Sequence, residues 1–228
     1  PSWLSFNAGT GVLSGTPTNS HVGSHSIVLK ATDSAGAVDT QSFTITVNNV
    51  NDAPVITSSA ITSVNEDSGY SYTFAANDAD SGDSVTLSAQ TKPSWLSFNA
   101  ATGVLSGTPT NSNVGNHSVT LRATDSNNVA TDQSFTIAVS NVNDAPTITS
   151  SAVTSVNEDS GYSYEFTATD VDSGDNVTLS AQTKPSWLIF DPGTGVLAGT
   201  PTNVNVGSHS IVLKATDTSG AVDSQSFT

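Results

Sequence analysis

The chain has 228 residues, 5 Lys plus Arg against 20 Asp plus Glu, and a formal net charge of −15. That balance excludes a nucleic-acid binder, which needs cationic surface, and docking on an anionic membrane surface, and it makes a cation the natural counterpart, Ca²⁺ first. Cysteine is absent, so disulfides and thiolate metal sites are excluded, and no apolar run approaches the length of a membrane span.

A repeat governs the order of elements. Pro-Ser-Trp-Leu stands at Pro1, Pro93 and Pro185, in steps of 92. Asn-Val-Asn-Asp-Ala-Pro stands at Asn49–Pro54 and Asn141–Pro146, and Val-Asn-Glu-Asp-Ser-Gly-Tyr-Ser-Tyr at Val64–Tyr72 and Val156–Tyr164, each pair again 92 apart. A fixed period means an array of one domain type, and this one suits a β-sandwich of about 100 residues. Cutting at the junctions gives three pieces. Residues 1–52 are the C-terminal part of one repeat, 53–144 a complete repeat, and 145–228 a repeat lacking the end of its last strand. The chain is therefore expected to be an excerpt of a longer array, whose incomplete ends expose sheet edges that neighbouring copies of the chain could complete.

In the complete repeat, Pro54–Ser58 and Ile61–Val64 read as a split first strand. Asn65–Gly69 is a turn carrying Glu66 and Asp67. Tyr70, Tyr72 and Phe74 alternate with Ser71 and Thr73 as a half-buried strand. Asp78, Asp80 and Asp83 crowd the next loop, and Val85, Leu87 and Ala89 alternate again. Leu96–Phe98 and Val104–Ser106 flank a tight turn at Asn99–Gly103. Gly107–Asn111 breaks the sheet. Val119, Leu121 and Ala123, then Phe135, Ile137 and Val139, form the last two strands. About seven short strands with Gly/Asn/Asp turns and no 3.6-residue period predict an all-β array of tandem antiparallel β-sandwiches with immunoglobulin-like Greek-key topology.

The acids cluster in four places per repeat: the Glu-bearing turn, the Asp-x-Asp loop, the loop after the Ala-Thr-Asp strand, and the junction. Loops gather at the poles of a sandwich. Acids from separated stretches would then converge, and a cation demanding 6–8 oxygen ligands would relieve their repulsion. Hard oxygen donors favour Ca²⁺ over zinc or copper. The competing explanation is ordinary turn chemistry, since Asp, Asn and Gly favour turns anyway.

Ala76–Leu87 resembles the cadherin strand–loop–strand signature. Phe-Thr-Ile-x-Val followed by Val-Asn-Asp-Ala-Pro resembles the end of a cadherin repeat and its linker, and Val64–Glu66 the cadherin glutamate element. Trp95–Pro109 is similar to bacterial immunoglobulin-like and dystroglycan-type cadherin-like repeats. The resemblance implies Ca²⁺ at each junction. At the second it implies Glu66, Asn141, Asn143, Asp144, Asp170, Asp172 and Asp217 as ligands. At the first it implies Asn49, Asn51, Asp52, Asp78, Asp80 and Asp125, with no glutamate in this chain. Asp33 and Glu158 belong by the same token to junctions outside it. Where cadherins carry an Asp-Arg-Glu element, this chain has Thr-Pro-Thr-Asn at Thr108–Asn111 and Thr200–Asn203, so fewer or weaker ions are expected.

Trp3, Trp95 and Trp187 read as core residues rather than sugar platforms, given their fixed place beside Leu and Phe. His25, His117 and His209 read as surface or strand-edge residues, and Lys30, Arg122 and Lys214 as strand residues facing solvent. No catalytic pattern stands apart from the repeat, and the chain is read as non-enzymatic. The functional expectation is a calcium-rigidified structural or adhesive segment of a long, secreted or cell-surface bacterial protein: an adhesin stalk, matrix or filament. The alternatives are a polysaccharide-binding module, or a noncatalytic spacer in a secreted enzyme.

Overall fold

A computed structural model describes all 228 residues. Every regular element is a β-strand apart from three single-turn 3₁₀ helices, at Asn19–His21, Asn111–Asn113 and Asn203–Asn205. In the complete repeat the turn begins at Asn111, the last residue of the segment expected only to break the sheet. Each of the three turns is entered from a threonine whose hydroxyl and backbone are satisfied by the residue three positions on, a capping arrangement that holds one turn without a helix behind it.

The chain forms two compact units. The first comprises Pro1–Val64, Gly69–Thr108 and Gly115–Ala138; the second comprises Asn65–Ser68, Pro109–Val114 and Val139–Thr228.

The first unit holds the larger core. Tyr70, Tyr72, Phe74, Leu96, Leu105, Val119, Leu121, Ala123 and Ile137 are buried together. The alternation at Tyr70, Tyr72 and Phe74 produces this directly, because a period of two sends every second side chain to one face. Tyr70–Thr73 pairs antiparallel with Val104–Gly107, which pairs in turn with Leu96–Asn99. On the other face the order is Ser63–Asn65, Ala130–Ser140, Gly115–Thr124, Thr86–Thr91.

Two strands are split, where the sequence predicted one. Val55–Ile56 and Ser63–Asn65 divide the first, as expected. The second also breaks after Thr73, and its continuation Ala76–Asn77 leaves Val104–Gly107 to pair with Val55–Ile56. The break is anchored by side-chain hydrogen bonds. Tyr70 Oη donates to the Ile61 carbonyl at 2.8 Å and Ala75 N–H donates to Ser58 Oγ at 2.8 Å. Tyr72 Oη donates to Gln133 Oε1 at 2.6 Å, and Gln133 Nε2 to the Ser58 carbonyl at 3.0 Å. Buried hydroxyls thus pin residues 58–61, the stretch between the two halves of the first strand that leads to the Glu66 turn. Burial holds the Tyr70 phenol up at about 12, with Tyr72 adding to the rise.

The turn Asn99–Gly103 closes with Asn99 Oδ1 accepting from Ala101 and Thr102. Gly103 has φ +71, and a Cβ there would lie 2.3 Å from the Phe74 carbonyl oxygen. Both the positive φ and the backbone contact require glycine.

In the second unit, Tyr162–Glu165, Val196–Gly199 and Leu188–Asp191 form one sheet, and Thr178–Thr183, Ile211–Thr216 and Val222–Phe227 the other. Its core repeats the first: Tyr162, Tyr164, Phe166, Leu188, Leu197, Ile211, Leu213 and Ala215.

Three side-chain expectations are refined or changed. Trp95 and Trp187, read as core residues, are half-buried and pack against the edge of their cores. Each indole meets a tyrosine edge-on, and the equivalent histidines are not surface residues: His25, His117 and His209 are half-buried with their rings edge-on to Trp3, Trp95 and Trp187. Arg122 does not simply face solvent; it forms a two-point ion pair with Asp132 at 2.7 and 2.8 Å. That hydrogen-bonded pair raises the arginine and lowers the carboxylate. Lys30 is exposed and Lys214 half-exposed.

Candidate metal centre

The second junction lies wholly inside the second unit. Its lower side is the turn Asn65–Ser68. Asp67 takes a left-handed φ of 56, which an Asp tolerates better than most side chains. Backbone bonds fix the turn in place, from Glu66 N–H to the Ser140 carbonyl at 3.0 Å and from Asp67 N–H to the Pro109 carbonyl at 2.8 Å. The Glu66 side chain is therefore turned inward and is only 1% exposed. Its Oε1 accepts from Val142 N–H at 2.8 Å, while its Oε2 is buried with no hydrogen-bond partner.

The linker crosses this turn. Asp144 N–H donates to Asp172 Oδ2 at 2.7 Å. Asn143 Nδ2 donates to Asp217 Oδ2 at 2.8 Å and to the Asp144 carbonyl at 2.9 Å. From the opposite side come the Asp-x-Asp loop and the loop after Thr216. Asp170 Oδ1 accepts from Asp172 N–H at 2.9 Å, and Asp217 Oδ1 from Ala221 N–H at 2.8 Å. Asp172 and Asp217 are 6% and 5% exposed.

Two groups of carboxylates result. Glu66, Asp144 and Asp172 bring one oxygen each within 4.8 Å of the others, as do Asp170, Asp172 and Asp175, so that Asp172 belongs to both. The Oδ2 atoms of Asp170 and Asp175 are buried without partners, like Glu66 Oε2. No basic side chain answers this charge, since the molecule's single ion pair is Arg122–Asp132. The electrostatics follow. Burial, then the neighbouring Asp172, Asp67 and Asp170, raise the Asp144 carboxyl, whereas the Asn143 hydrogen bond holds Asp217 below the usual carboxylate range.

The first junction lies in the first unit and repeats the pattern without the glutamate. Asp52 N–H donates to Asp80 Oδ2 at 2.8 Å, Asn51 Nδ2 to Asp125 Oδ2 at 2.7 Å, and Asp80 N–H to Asp78 Oδ1 at 2.9 Å. Asp78, Asp80 and Asp83 form the acidic trio, with Asp78 Oδ2 and Asp83 Oδ2 buried and unpartnered. Asp125 is buried and held low by Asn51.

Of the residues singled out in the sequence, Glu66, Asn143, Asp144, Asp170, Asp172 and Asp217 gather at the second junction, and Asn51, Asp52, Asp78, Asp80 and Asp125 at the first. Asn49 and Asn141 are exposed and make none of the hydrogen bonds that tie the clusters together. Among the participants not singled out are two further acids and two asparagines. Asp83 and Asp175 complete the acidic trios; the spacing of three acids within one loop was the available signal. Asn19 and Asn111 come from Thr-Pro-Thr-Asn, which reads in sequence as a lost acidic element. Asn111 Nδ2 donates to Asp172 Oδ1 at 2.7 Å, and Asn19 Nδ2 to Asp52 Oδ2 at 2.6 Å and Asp80 Oδ1 at 3.2 Å.

A family model described as "Putative Ig domain" matches residues 1–48, 53–140 and 145–228, which is almost the whole chain. The chain belongs to this immunoglobulin-like family. Over 143 residues, 63% of the chain, the Ig-like repeats are 36% identical to the "Serine-rich adhesin for platelets" of Staphylococcus aureus strain MRSA252, covering 10% of that protein. With the adhesin of the same name from strain USA300 the identity is 37% and the cover 6%. The chain thus spans a tenth or less of these relatives. Among solved structures, the protocadherin γB3 EC1-4 fragment superposes with a TM-score of 0.60 at 19% identity, over 98% of this chain and 62% of that one. The protocadherin γB4 extracellular domain does so with 0.55 at 23% identity, over 99% and 41%. These likenesses establish the cadherin/Ig-like sandwich fold. No helix is long and apolar enough to cross a membrane.

Proposed function

We propose that the chain is a calcium-rigidified repeat segment of a long extracellular bacterial protein and serves adhesion by spacing or displaying a binding tip. The family and the adhesin relatives support an adhesive repeat at the cell surface, and we read it as non-catalytic. The observation that carries the calcium reading is Glu66. A carboxylate oxygen buried without a donor, beside Asp144 and Asp172 and with no cation side chain in reach, is costly unless something positive binds it.

The donor set fits a hard divalent cation. Glu66, Asp144, Asp170, Asp172 and Asp217 offer carboxylates, while imidazole and thiolate are missing. When bound, Ca²⁺ would supply the positive charge that these acids lack. The protein's part is to hold Glu66 inward through Ser140 and Val142, and to hold Asp172 through the linker. Because the ion binds the ordered arrangement and not the unfolded chain, it stabilises that order.

The experiment is thermal unfolding of the wild type in Ca²⁺ and in chelator, with isothermal titration of Ca²⁺ and Mg²⁺. A Tm unchanged by chelation, with no heat of Ca²⁺ binding, sinks the calcium reading. The polysaccharide alternative has less support, because the tryptophans are packed edge-on against tyrosine and histidine rather than offering open faces.

A further inference from the structure

Among the side chains that tie the second junction together, Asn111 was not one of the expected ligands. It sits in the single 3₁₀ turn Asn111–Asn113, held by the Thr110 cap. An ionised carboxylate only accepts hydrogen bonds, so the amide must present its N–H₂ to Asp172. At 2.7 Å the contact has the length of a charge-assisted bond. The first junction makes the same contact with Asn19, reaching both Asp52 and Asp80. Two copies of one geometry, each on the most buried Asp of its trio, mark a built feature of the repeat.

We propose that Asn111, and Asn19 in its own unit, are neutral latches: they hold Asp172 and Asp80 in position when no cation is present. Four donors reach this acid network from the linker or from the Pro109–Val114 turn: Asn111 Nδ2 and Asp144 N–H on Asp172, Asn143 Nδ2 on Asp217, and Val142 N–H on Glu66. Three of them lie on the linker itself. Only Asn111 joins the Asp-x-Asp loop to the Pro109–Val114 turn. An aspartate at this position would add a ligand charge for a cation and would remove the donor that keeps the empty site ordered. The asparagine thus trades cation affinity for order without the cation. The affinity half of this inference rests on the calcium reading; the ordering half does not.

The test uses the full chain and three variants, Asn111→Ala, Asn111→Asp and Asn203→Asp. Asn203 is the exposed equivalent with no such contact and serves as the control. In chelator, Asn111→Ala and Asn111→Asp are expected to melt below wild type, and Asn203→Asp at the wild-type Tm. By titration with Ca²⁺, Asn111→Asp should bind about tenfold tighter, since affinity at such sites is tuned by ligand charge count, and Asn111→Ala within about twofold of wild type. An Asn111→Ala protein that melts normally in chelator but binds Ca²⁺ much more weakly makes Asn111 a ligand and overturns the latch. An Asn111→Asp protein with no gain in affinity overturns the trade. If the wild type binds no Ca²⁺ at all, the calcium reading falls, and the chelator melting of Asn111→Ala still decides the latch.

Discussion

The two junctions have nearly identical text and, within residues 1–228, different donor sets. Both strap an Asn-Asp linker onto an Asp-x-Asp loop through a backbone N–H, and both carry an asparagine latch. Only for the second do residues 1–228 include the glutamate turn that lies beneath the strap. There Asp144 is half-buried and its carboxyl is raised by burial and by neighbouring acids, whereas Asp52 at the first junction is exposed. Both junctions bury carboxylate oxygens without partners, and at the second Glu66 adds one more beneath the linker. The linker alone does not make the site.

Cation removal is the largest lever on that difference. At a free Ca²⁺ concentration 100 times Kd, a bound ion would stabilise by about 2.7 kcal/mol, and chelation should remove that amount. Hydrogen exchange should locate the loss at residues 141–146 more than at 49–54. Equal loss at both would break the comparison. The next test is Glu66→Gln, which keeps the shape and removes the charge. Ca²⁺ affinity at the second junction is expected to fall by about tenfold or more, towards that of the first. Unchanged titration would remove Glu66 from the site.

Tyr70→Phe probes the support behind Glu66. Losing the hydroxyl bond to Ile61 should cost about 1 kcal/mol in chemical denaturation. The last effect is on pH dependence. The Tyr70 phenol is raised in the fold to about 12, above its ordinary value of 10.0. The unfolded chain therefore loses this proton first. The stability Tyr70 contributes is complete below about pH 10 and is lost as pH rises towards 12. Alkaline denaturation of Tyr70→Phe should accordingly be flatter than that of wild type over this range.

Strand alternation was the most legible feature. Tyr70, Tyr72, Leu105, Leu121 and Ile137 all fall inside the core because a period of two leaves them no other face. The break after Thr73 was not legible, because it depends on Ser58, Tyr72 and Gln133, which lie up to 75 residues apart and meet only in the fold. At the junctions the acids stood out by repetition. Asn111 did not, because beside a family pattern that has an acid there, an amide reads as an absence. Its donor capacity matters only once Asp172 is placed opposite. The histidines were misjudged for the related reason that nothing in the sequence sets His117 beside Trp95.

Glu66 grips the chain on both sides of Asn141: its backbone N–H holds the Ser140 carbonyl and its carboxylate holds Val142 N–H. Tension applied through the linker would reach these two bonds before it reached the long ladder of the Ala130–Ser140 strand. They stand at the point of entry of the load, like a cleat ahead of a seam. An ion on Glu66 Oε2 would stiffen that cleat, and the force needed to peel the last strand would then depend on the calcium level of the surroundings.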